Sequence, residues 1–278
     1  MTQPRTQPRH ANLPRRSPRL LAMFVRYVRR YVGKQFNAVR VLRESTCDLP
    51  SDTPVVFYVN HPSWWDPLML ALLATQRYPQ RQHYAPIDAA MLGKYAFFER
   101  LGFFGIEPNS TRGAAKLLRV GQAILAQPDA ALWITAEGQF TDPRLRPVQL
   151  RPGLAHLARR LPHARIVPVA IEYIFWDEST PEALMAFGDP INTAEAAKQW
   201  DVTEWQRELA HRLERTMDRL ATASQTRDPA LFDNLLDGRR GIGGVYDLWR
   251  RCKAWARGQR FDPSHGGSSF DNDTKEAR

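Results

Sequence analysis

A chain of 278 residues, 43% of them hydrophobic, is long enough to bury a full core as one large domain. Its formal net charge is +10, but the first forty residues hold ten Lys and Arg and no acidic residue, so the remainder is formally neutral. Two cysteines, Cys47 and Cys252, argue against a disulfide framework and fit a reducing, cytosolic compartment; neither has a nearby histidine to activate it. The sequence also lacks a Gly-x-Ser-x-Gly motif, Cys/His metal spacing and a phosphate-binding glycine-rich loop.

The N-terminal arm is the basic part of the chain. Residues 1–18 are rich in Pro, Arg and Gln, which predicts disorder. Residues 19–40 show helical periodicity, with aromatic side chains opposite arginines, and predict a basic amphipathic helix that associates with an anionic membrane surface. A helix packed on the body with a solvated basic face is the alternative, and a nucleic-acid partner is not expected because no nucleic-acid module follows. Arginines interrupt any signal-peptide core, and no apolar run approaches the roughly 18 residues that cross a membrane.

The strongest local pattern is a strand, a turn and a helix around His61. Residues 55–59 are apolar and mostly β-branched or aromatic, Asn60-His61-Pro62-Ser63 ends that strand, and a helix begins near Asp66. A carboxylate that holds one ring nitrogen makes a neutral imidazole a general base. The same spacing recurs at His83 and Asp88, so spacing alone does not decide, but Pro86 between those partners favours a structural role for His83.

The remaining elements alternate between strands and helices, which predicts an α/β domain. Strands are expected over 103–107, 131–135, 165–174 and 183–187, and helices over 89–100, 111–127, 152–161 and 203–223. The main domain is expected to span 41–224. Residues 225–278 are expected to form a C-terminal extension with a basic amphipathic helix over 245–255 and a loose tail.

Four sequence blocks resemble the glycerolipid acyltransferase superfamily, typified by 1-acylglycerol-3-phosphate acyltransferase. The blocks are Asn60-His61-x4-Asp66, Gly102-Phe103-Phe104-Gly105-Ile106-Glu107-Pro108, Glu137-Gly138-Gln139-Phe140-Thr141 and Ile166-Val167-Pro168-Val169-Ala170-Ile171. The resemblance implies the acyltransferase α/β fold, with a mixed sheet flanked by helices. It also implies an O-acyltransferase that moves an acyl group from acyl-CoA or acyl carrier protein to a lipid hydroxyl. It implies a peripheral protein on the cytoplasmic face of the inner or plasma membrane. No metal and no cofactor besides the thioester co-substrate are expected.

The expected reaction needs no covalent enzyme intermediate. His61 would take the proton of the acceptor hydroxyl and Asp66 would orient His61. Backbone amides near Ser63 are expected to stabilise the oxyanion. Substrate contacts are expected from Asn60, Ser63, Glu137 and Gly138, and an apolar wall for the thioester from Trp64, Trp65, Phe103 and Phe104.

Two departures from the family pattern concern the acceptor. The second block usually ends in Arg, where this chain has Pro108, and the third usually reads Glu-Gly-Thr-Arg-Ser, where this chain has Phe140. In relatives those arginines bind the acceptor phosphate, and Phe cannot replace them. Either other arginines substitute, or the acceptor is a lipid alcohol without a phosphate; the candidate cations are Arg112, Arg144, Arg146 and Arg151. A thioesterase that uses His61 to activate water and a non-catalytic membrane adaptor remain as alternative functions.

Overall fold

A computed structural model of the chain describes residues 13–45 and 49–238. The helices are α1 Pro18–Gln35, α2 Asp66–Arg77, α3 Ala89–Lys94, α4 Thr111–Ile124, α5 Gly153–Arg159, α6 Thr193–Ala196 and α7 Val202–Gln225. The strands are β1 Ala38–Leu42, β2 Val55–Val59, β3 Gln82–Asp88, β4 Phe103–Ile106, β5 Ala130–Thr135, β6 Arg165–Ile174, β7 Glu182–Phe187, β8 Ile191–Asn192 and β9 Phe232–Asp237. Short 3-10 turns lie at Arg43–Ser45, Ala96–Leu101 and Pro229–Leu231.

The strands of the described residues form one mixed sheet in the order β4-β3-β5-β2-β6-β7-β1-β9, with β8 beside β6. The five strands from β4 to β6 are parallel, whereas β7 is antiparallel to β6 and β9 is antiparallel to β1. Parallel strands end at the same edge of a sheet, so the loops after β2, β5 and β6 meet there. The predicted α/β fold with a mixed sheet flanked by helices is confirmed.

Helices cover both faces of this sheet, and the central strand β2 shows why. Val55, Phe57 and Val59 point to a core layer with α1 and α2, while Val56 and Tyr58 point to a layer with α4, α5 and α7. All five residues of β2 are buried, as expected for a parallel strand between two helical layers. The apolar run that ends at Asn60 is therefore the middle of the molecule, and it fixes the turn that follows.

The N-terminal arm is part of this body. The expected helix over 19–40 ends at Gln35, and residues 38–42 form β1 between β7 and β9. Arg40 is buried in that strand because Glu182 of β7 accepts a hydrogen bond from its Nε at 2.9 Å. Residues 13–17 also differ from the expected disorder, since the Ser17 N–H donates to the Arg100 carbonyl at 2.8 Å.

Three further expectations are revised or fall outside the described residues. The helix expected over 89–100 divides into α3 and the 3-10 turn Ala96–Leu101, which ends at Gly102 in the left-handed conformation. The expected body boundary at residue 224 is too early because β9 returns to the sheet. The helix over 245–255 and both cysteines lie outside the described residues. No helix within 13–45 and 49–238 is long and apolar enough to cross a membrane.

Candidate active site

The turn that carries His61 is tied to both neighbouring strands. Beyond the end of β2, the Thr141 N–H donates to the His61 carbonyl at 2.9 Å. On the other side, the Asn60 amide exchanges two hydrogen bonds with the backbone of Ile171 in β6, at 2.8 and 3.0 Å. A substrate contact was expected from Asn60, but its side chain is buried and holds the turn instead.

His61 and Asp66 form a hydrogen-bonded pair. His61 Nδ1 lies 2.6 Å from Asp66 Oδ2, and the Asp66 side chain is fully buried while that of His61 is partly exposed. The Ser63 N–H donates to the same carboxylate oxygen at 3.2 Å. A carboxylate on Nδ1 favours the tautomer with its proton there, which leaves the Nε2 lone pair to accept a proton.

Tyr173 is a member of the site that the sequence did not reveal. Its hydroxyl donates to Asp66 Oδ1 at 2.6 Å, from a position near the end of β6. Burial raises the pKa of the Tyr173 hydroxyl well above its usual range, and the charge and hydrogen bond of Asp66 add to that shift. Both oxygens of Asp66 therefore have hydrogen-bond partners, as a buried carboxylate requires.

Glu137 holds the His61 turn from a second loop. Its Oε2 accepts the backbone N–H of His61 at 2.6 Å, and burial raises the pKa of its carboxyl, partly opposed by that hydrogen bond. Gly138 has φ +67°, and a Cβ placed there would lie 2.9 Å from Cγ of Arg151. The expected substrate contacts Glu137 and Gly138 thus form a supporting turn, with the Arg151 side chain lying across it.

Aromatic side chains form the rim of the site. The Phe140 ring centroid lies 4.6 Å from that of His61, and Phe140 is 60% exposed. Trp64 is exposed as well and contacts Trp65. The other expected wall residues lie elsewhere: Trp65 packs on Phe36 at 4.9 Å, and Phe104 is buried in the core layer of α4.

The backbone amides expected to stabilise an oxyanion already have internal partners. The Ser63 N–H binds Asp66, and the Trp65 N–H donates to Ser63 Oγ at 3.3 Å. Ser63 therefore shapes the turn and holds Asp66, and its expected contact with substrate stays a prediction. Among residues 13–45 and 49–238, no group of three or more His, Cys, Asp or Glu side chains is arranged to hold a metal ion.

The candidate phosphate-binding arginines are mostly paired with acids. Arg144 forms a two-bond pair with Asp142, which lowers the pKa of that carboxyl, and Arg146 binds Asp218 at 2.6 Å. Both arginines line a cavity of about 240 Å³ beneath the loop that starts at Thr141. Arg112 lies 3.7 Å from Glu107, in the segment that follows β4. Strand β4 is three positions from β2 in the sheet, so the two strands are about 14 Å apart at the usual strand spacing. Arg112 is thus not brought to the His61 turn.

Residues 40–172, which contain the His61 turn, Asp66, Glu137 and most of β6, match the family model described as Acyltransferase. Over these residues the chain is similar to the acyltransferase family. This confirms the resemblance seen in the sequence and the expected enzyme class, an O-acyltransferase.

A solved structure shares the fold of this acyltransferase. The crystal structure of the 1-acyl-sn-glycerophosphate (LPA) acyltransferase PlsC from Thermotoga maritima superposes with a TM-score of 0.51, over 73% of this chain and 80% of that chain, at 13% sequence identity. At that identity the likeness concerns the fold. No curated protein matches the chain.

Proposed function

We propose that the acyltransferase moves an acyl group from an acyl thioester, carried by coenzyme A or a carrier protein, to the hydroxyl of a lipid at a membrane surface. The observation that carries this proposal is the 2.6 Å contact between His61 Nδ1 and a buried Asp66. The acceptor oxygen attacks the thioester carbonyl while its proton passes to His61 Nε2. The tetrahedral intermediate then expels the thiolate, which takes that proton from the imidazolium.

The apolar rim favours transfer over hydrolysis. Phe140 lies on His61 and Trp64 is exposed nearby, so an acyl chain and a lipid acceptor can displace water from the reacting carbonyl.

A thioesterase would instead need water beside Nε2. Release of free fatty acid at the full rate without an acceptor would therefore contradict acyl transfer. His61→Ala is expected to abolish transfer, and retained activity in that variant would favour a non-catalytic role for the turn.

The preferred acceptor lacks a terminal phosphate monoester. Phe140 stands where the resemblance expects a phosphate-binding arginine, and Arg144 and Arg146 are already paired with carboxylates. Losing charge-assisted contacts that contribute about 1.5–3 kcal/mol each would weaken binding of such a phosphate by at least tenfold. Arg151 is exposed and its side chain lies against Gly138, so its position would suit a replacement.

A competition assay tests this acceptor class. Lysophosphatidate and a neutral or sugar-bearing lipid alcohol of the same chain length are offered together at equal concentration with a labelled acyl thioester. Preference for the neutral alcohol is expected. Preference for lysophosphatidate that is lost in Arg151→Ala, but kept in the control Arg119→Ala on α4, would show that Arg151 has taken over phosphate binding.

Helix α1 supports action at a membrane surface. Arg19, Arg26 and Arg30 are exposed on it beside Met23 and Tyr27, while Val28 and Val32 are buried against the body. Deletion of residues 1–41 cannot test this because it removes most of β1, the strand that joins β9 to β7 in the sheet.

Charge neutralisation tests the membrane proposal with the fold intact. Replacing Arg19, Arg26 and Arg30 of α1 by Gln is expected to weaken binding to anionic vesicles by about 1 kcal/mol per residue at modest ionic strength, and salt should abolish the difference. The control replaces Arg119, Arg159 and Arg160, which are exposed on the helical layer of the opposite sheet face. Equal losses in both triple variants would contradict a specific role for α1.

A further inference from the structure

The segment 89–98 leaves its apolar side chains in solvent. None of the residues of α3 is buried, although its sequence is Ala-Ala-Met-Leu-Gly-Lys. Met91 is 42% exposed, Tyr95 38% and Phe97 44%. A short helix in a folded protein normally buries an apolar stripe, so clustered exposed apolar side chains mark a surface that binds another apolar phase.

Helix α1 extends this surface. Phe98, the last residue of the segment, contacts Phe24 of α1 edge to face with ring centroids 6.4 Å apart. Met23 and Tyr27, one helical turn apart on α1, are among the most exposed apolar side chains of the described residues. We call Met23, Tyr27, Met91, Tyr95 and Phe97 the apolar platform.

A row of ring contacts joins the platform to the candidate active site. Tyr27 stacks on Tyr31 at 5.8 Å, Tyr31 stacks on Trp65 at 5.5 Å, and Trp65 meets Trp64 at 5.4 Å. Trp64 follows His61 by three residues and is exposed. The surface is thus continuous with the place where a lipid acceptor has to arrive.

The charges around the platform fit an anionic bilayer. Exposed cations surround it, whereas the acids next to the segment in sequence are Asp88 and Glu99; the cations include Arg19, Arg26, Arg30, Lys34, Lys94 and Arg100. The Lys94 ammonium lies 5.3 Å from the centre of the Tyr95 ring, which places an aromatic ring and a cation at the same level. Tyr and Lys beside Met and Phe are the composition of membrane–water interfaces, where one end of the side chain is apolar and the other is hydrated.

We propose that residues 89–98 are a second bilayer-contacting element, which places Met91, Tyr95 and Phe97 in the interfacial region beside α1. The occupant of the platform is a lipid bilayer that contains anionic lipids. Two attachment elements, one basic and one apolar, give firmer binding than either alone. The bilayer contact is argued independently of the proposed function. One consequence rests on that function: the acceptor reaches His61 past Trp64 without leaving the lipid phase.

Vesicle binding of the full chain tests the proposal. The triple variant Met91→Ser/Tyr95→Ser/Phe97→Ser is compared with wild type by co-sedimentation with phosphatidylcholine vesicles containing phosphatidylglycerol. We expect a loss in partitioning on the order of 100-fold that persists at high salt, because the lost contacts are apolar. Circular dichroism and the melting temperature should be unchanged, since the replaced side chains are exposed.

A matched pair of single variants removes general effects of surface polarity. Phe97→Ser should weaken vesicle binding, whereas Leu145→Ser should not. Leu145 is 60% exposed and its neighbour Arg146 binds Asp218 of α7, on the layer opposite α1. Equal vesicle binding by wild type and the triple variant would overturn the proposal. A wild type that dimerises through the platform without binding vesicles would overturn it too, in favour of a second copy of the chain.

Failure of the proposed function would look different. Binding is measured without an acyl donor and repeated in a His61→Ala background, where it should be unchanged. Normal platform-dependent binding with no acyl transfer would contradict the proposed reaction and leave the bilayer contact standing. Transfer to an acceptor in vesicles should fall in the triple variant, while transfer to a soluble short-chain acceptor should remain.

Discussion

The chain contains two His-x4-Asp pairs that the fold uses in different ways. His61 lies on a turn and Asp66 begins α2, so the chain folds back and the side chains meet at 2.6 Å. His83 and Asp88 both lie in β3, where five residues of extended chain span about 17 Å. Asp88 there accepts the Ala90 N–H at the start of α3 and has no role at His83.

The hydrogen bonds and burial of the two imidazoles show which histidine has a ring nitrogen available to accept a proton. His83 accepts the Trp133 indole N–H on Nδ1 at 3.2 Å and lies 3.0 Å from the Tyr78 carbonyl through Nε2, so both of its nitrogens are used. Burial lowers the pKa of His83 to about 4. His61 uses one nitrogen on Asp66 and is partly exposed. A free nitrogen at the surface, more than the spacing, separates a candidate base from a structural histidine.

The largest expected effect is that replacement of His61, but not of His83, lowers the rate of acyl transfer. His61→Ala should lower kcat/KM for acyl transfer by about 10² or more and leave the circular dichroism spectrum unchanged, because the general base is lost. His83→Gln, which can keep one donor and one acceptor, should retain most activity. Initial rates and melting curves for both variants check this, and Asp66→Asn should follow His61→Ala. Loss of transfer in His83→Gln with normal rates in His61→Ala would reverse the assignment.

The second effect is an acid-sensitive stability due to His83. Its folded-state pKa is near 4 and its ordinary value is 6.5, so the unfolded chain binds a proton first as the pH falls. This contribution is complete above pH 6.5 and is lost between pH 6.5 and 4, by about 3 kcal/mol in total. Glu137 and Glu172, whose carboxyl pKa values burial raises, act in the opposite direction. Urea unfolding of wild type and His83→Gln at several pH values isolates the His83 contribution as the difference, and parallel curves would contradict it.

A smaller effect is expected at Tyr173, which acts as a positioning residue through Asp66. Tyr173→Phe leaves Asp66 Oδ1 without its 2.6 Å partner inside the protein, so Asp66 holds the His61 ring less firmly. We expect a loss of about tenfold in kcat with little change in KM, since the loss acts on the general base and not on substrate binding. Tyr84→Phe is the control because Tyr84 is also buried and its hydroxyl bonds to Gln82 beside His83. A kcat unchanged by Tyr173→Phe, or a rise in KM alone, would show that Tyr173 only packs there.

The smallest effect concerns the loop that supports His61. Gly138→Ala forces a Cβ into a left-handed residue and toward Arg151, at a cost of about 1–2 kcal/mol of stability. Because Glu137 next to it holds the His61 N–H, a modest fall in kcat should accompany the lost stability. Gly93→Ala in α3 is the control, since nothing lies within 4 Å of its added Cβ, and it should be neutral or slightly stabilising. Equal melting temperatures for the two variants would contradict the strain.

Much of this acyltransferase was determined by local sequence. The apolar run 55–59, the turn at Pro62 and the helix beginning at Asp66 predicted the strand, the turn and the pairing of His61 with Asp66, because all their contacts fall within a few residues. The alternating strands and helices predicted the α/β class for the same reason. The substitution of Phe140 for an expected arginine was visible in the sequence as well.

Only the tertiary structure decided which distant residues complete the site and the sheet. Tyr173 reaches Asp66, and Asn60 reaches Ile171, because β6 lies beside β2 although more than a hundred residues separate them. A central arginine made residues 38–42 look like part of a basic arm, but Glu182 from β7 pairs with Arg40 and allows its burial. Sheet order sets these contacts, and sheet order depends on the packing of the whole chain, which periodicity along the sequence does not report.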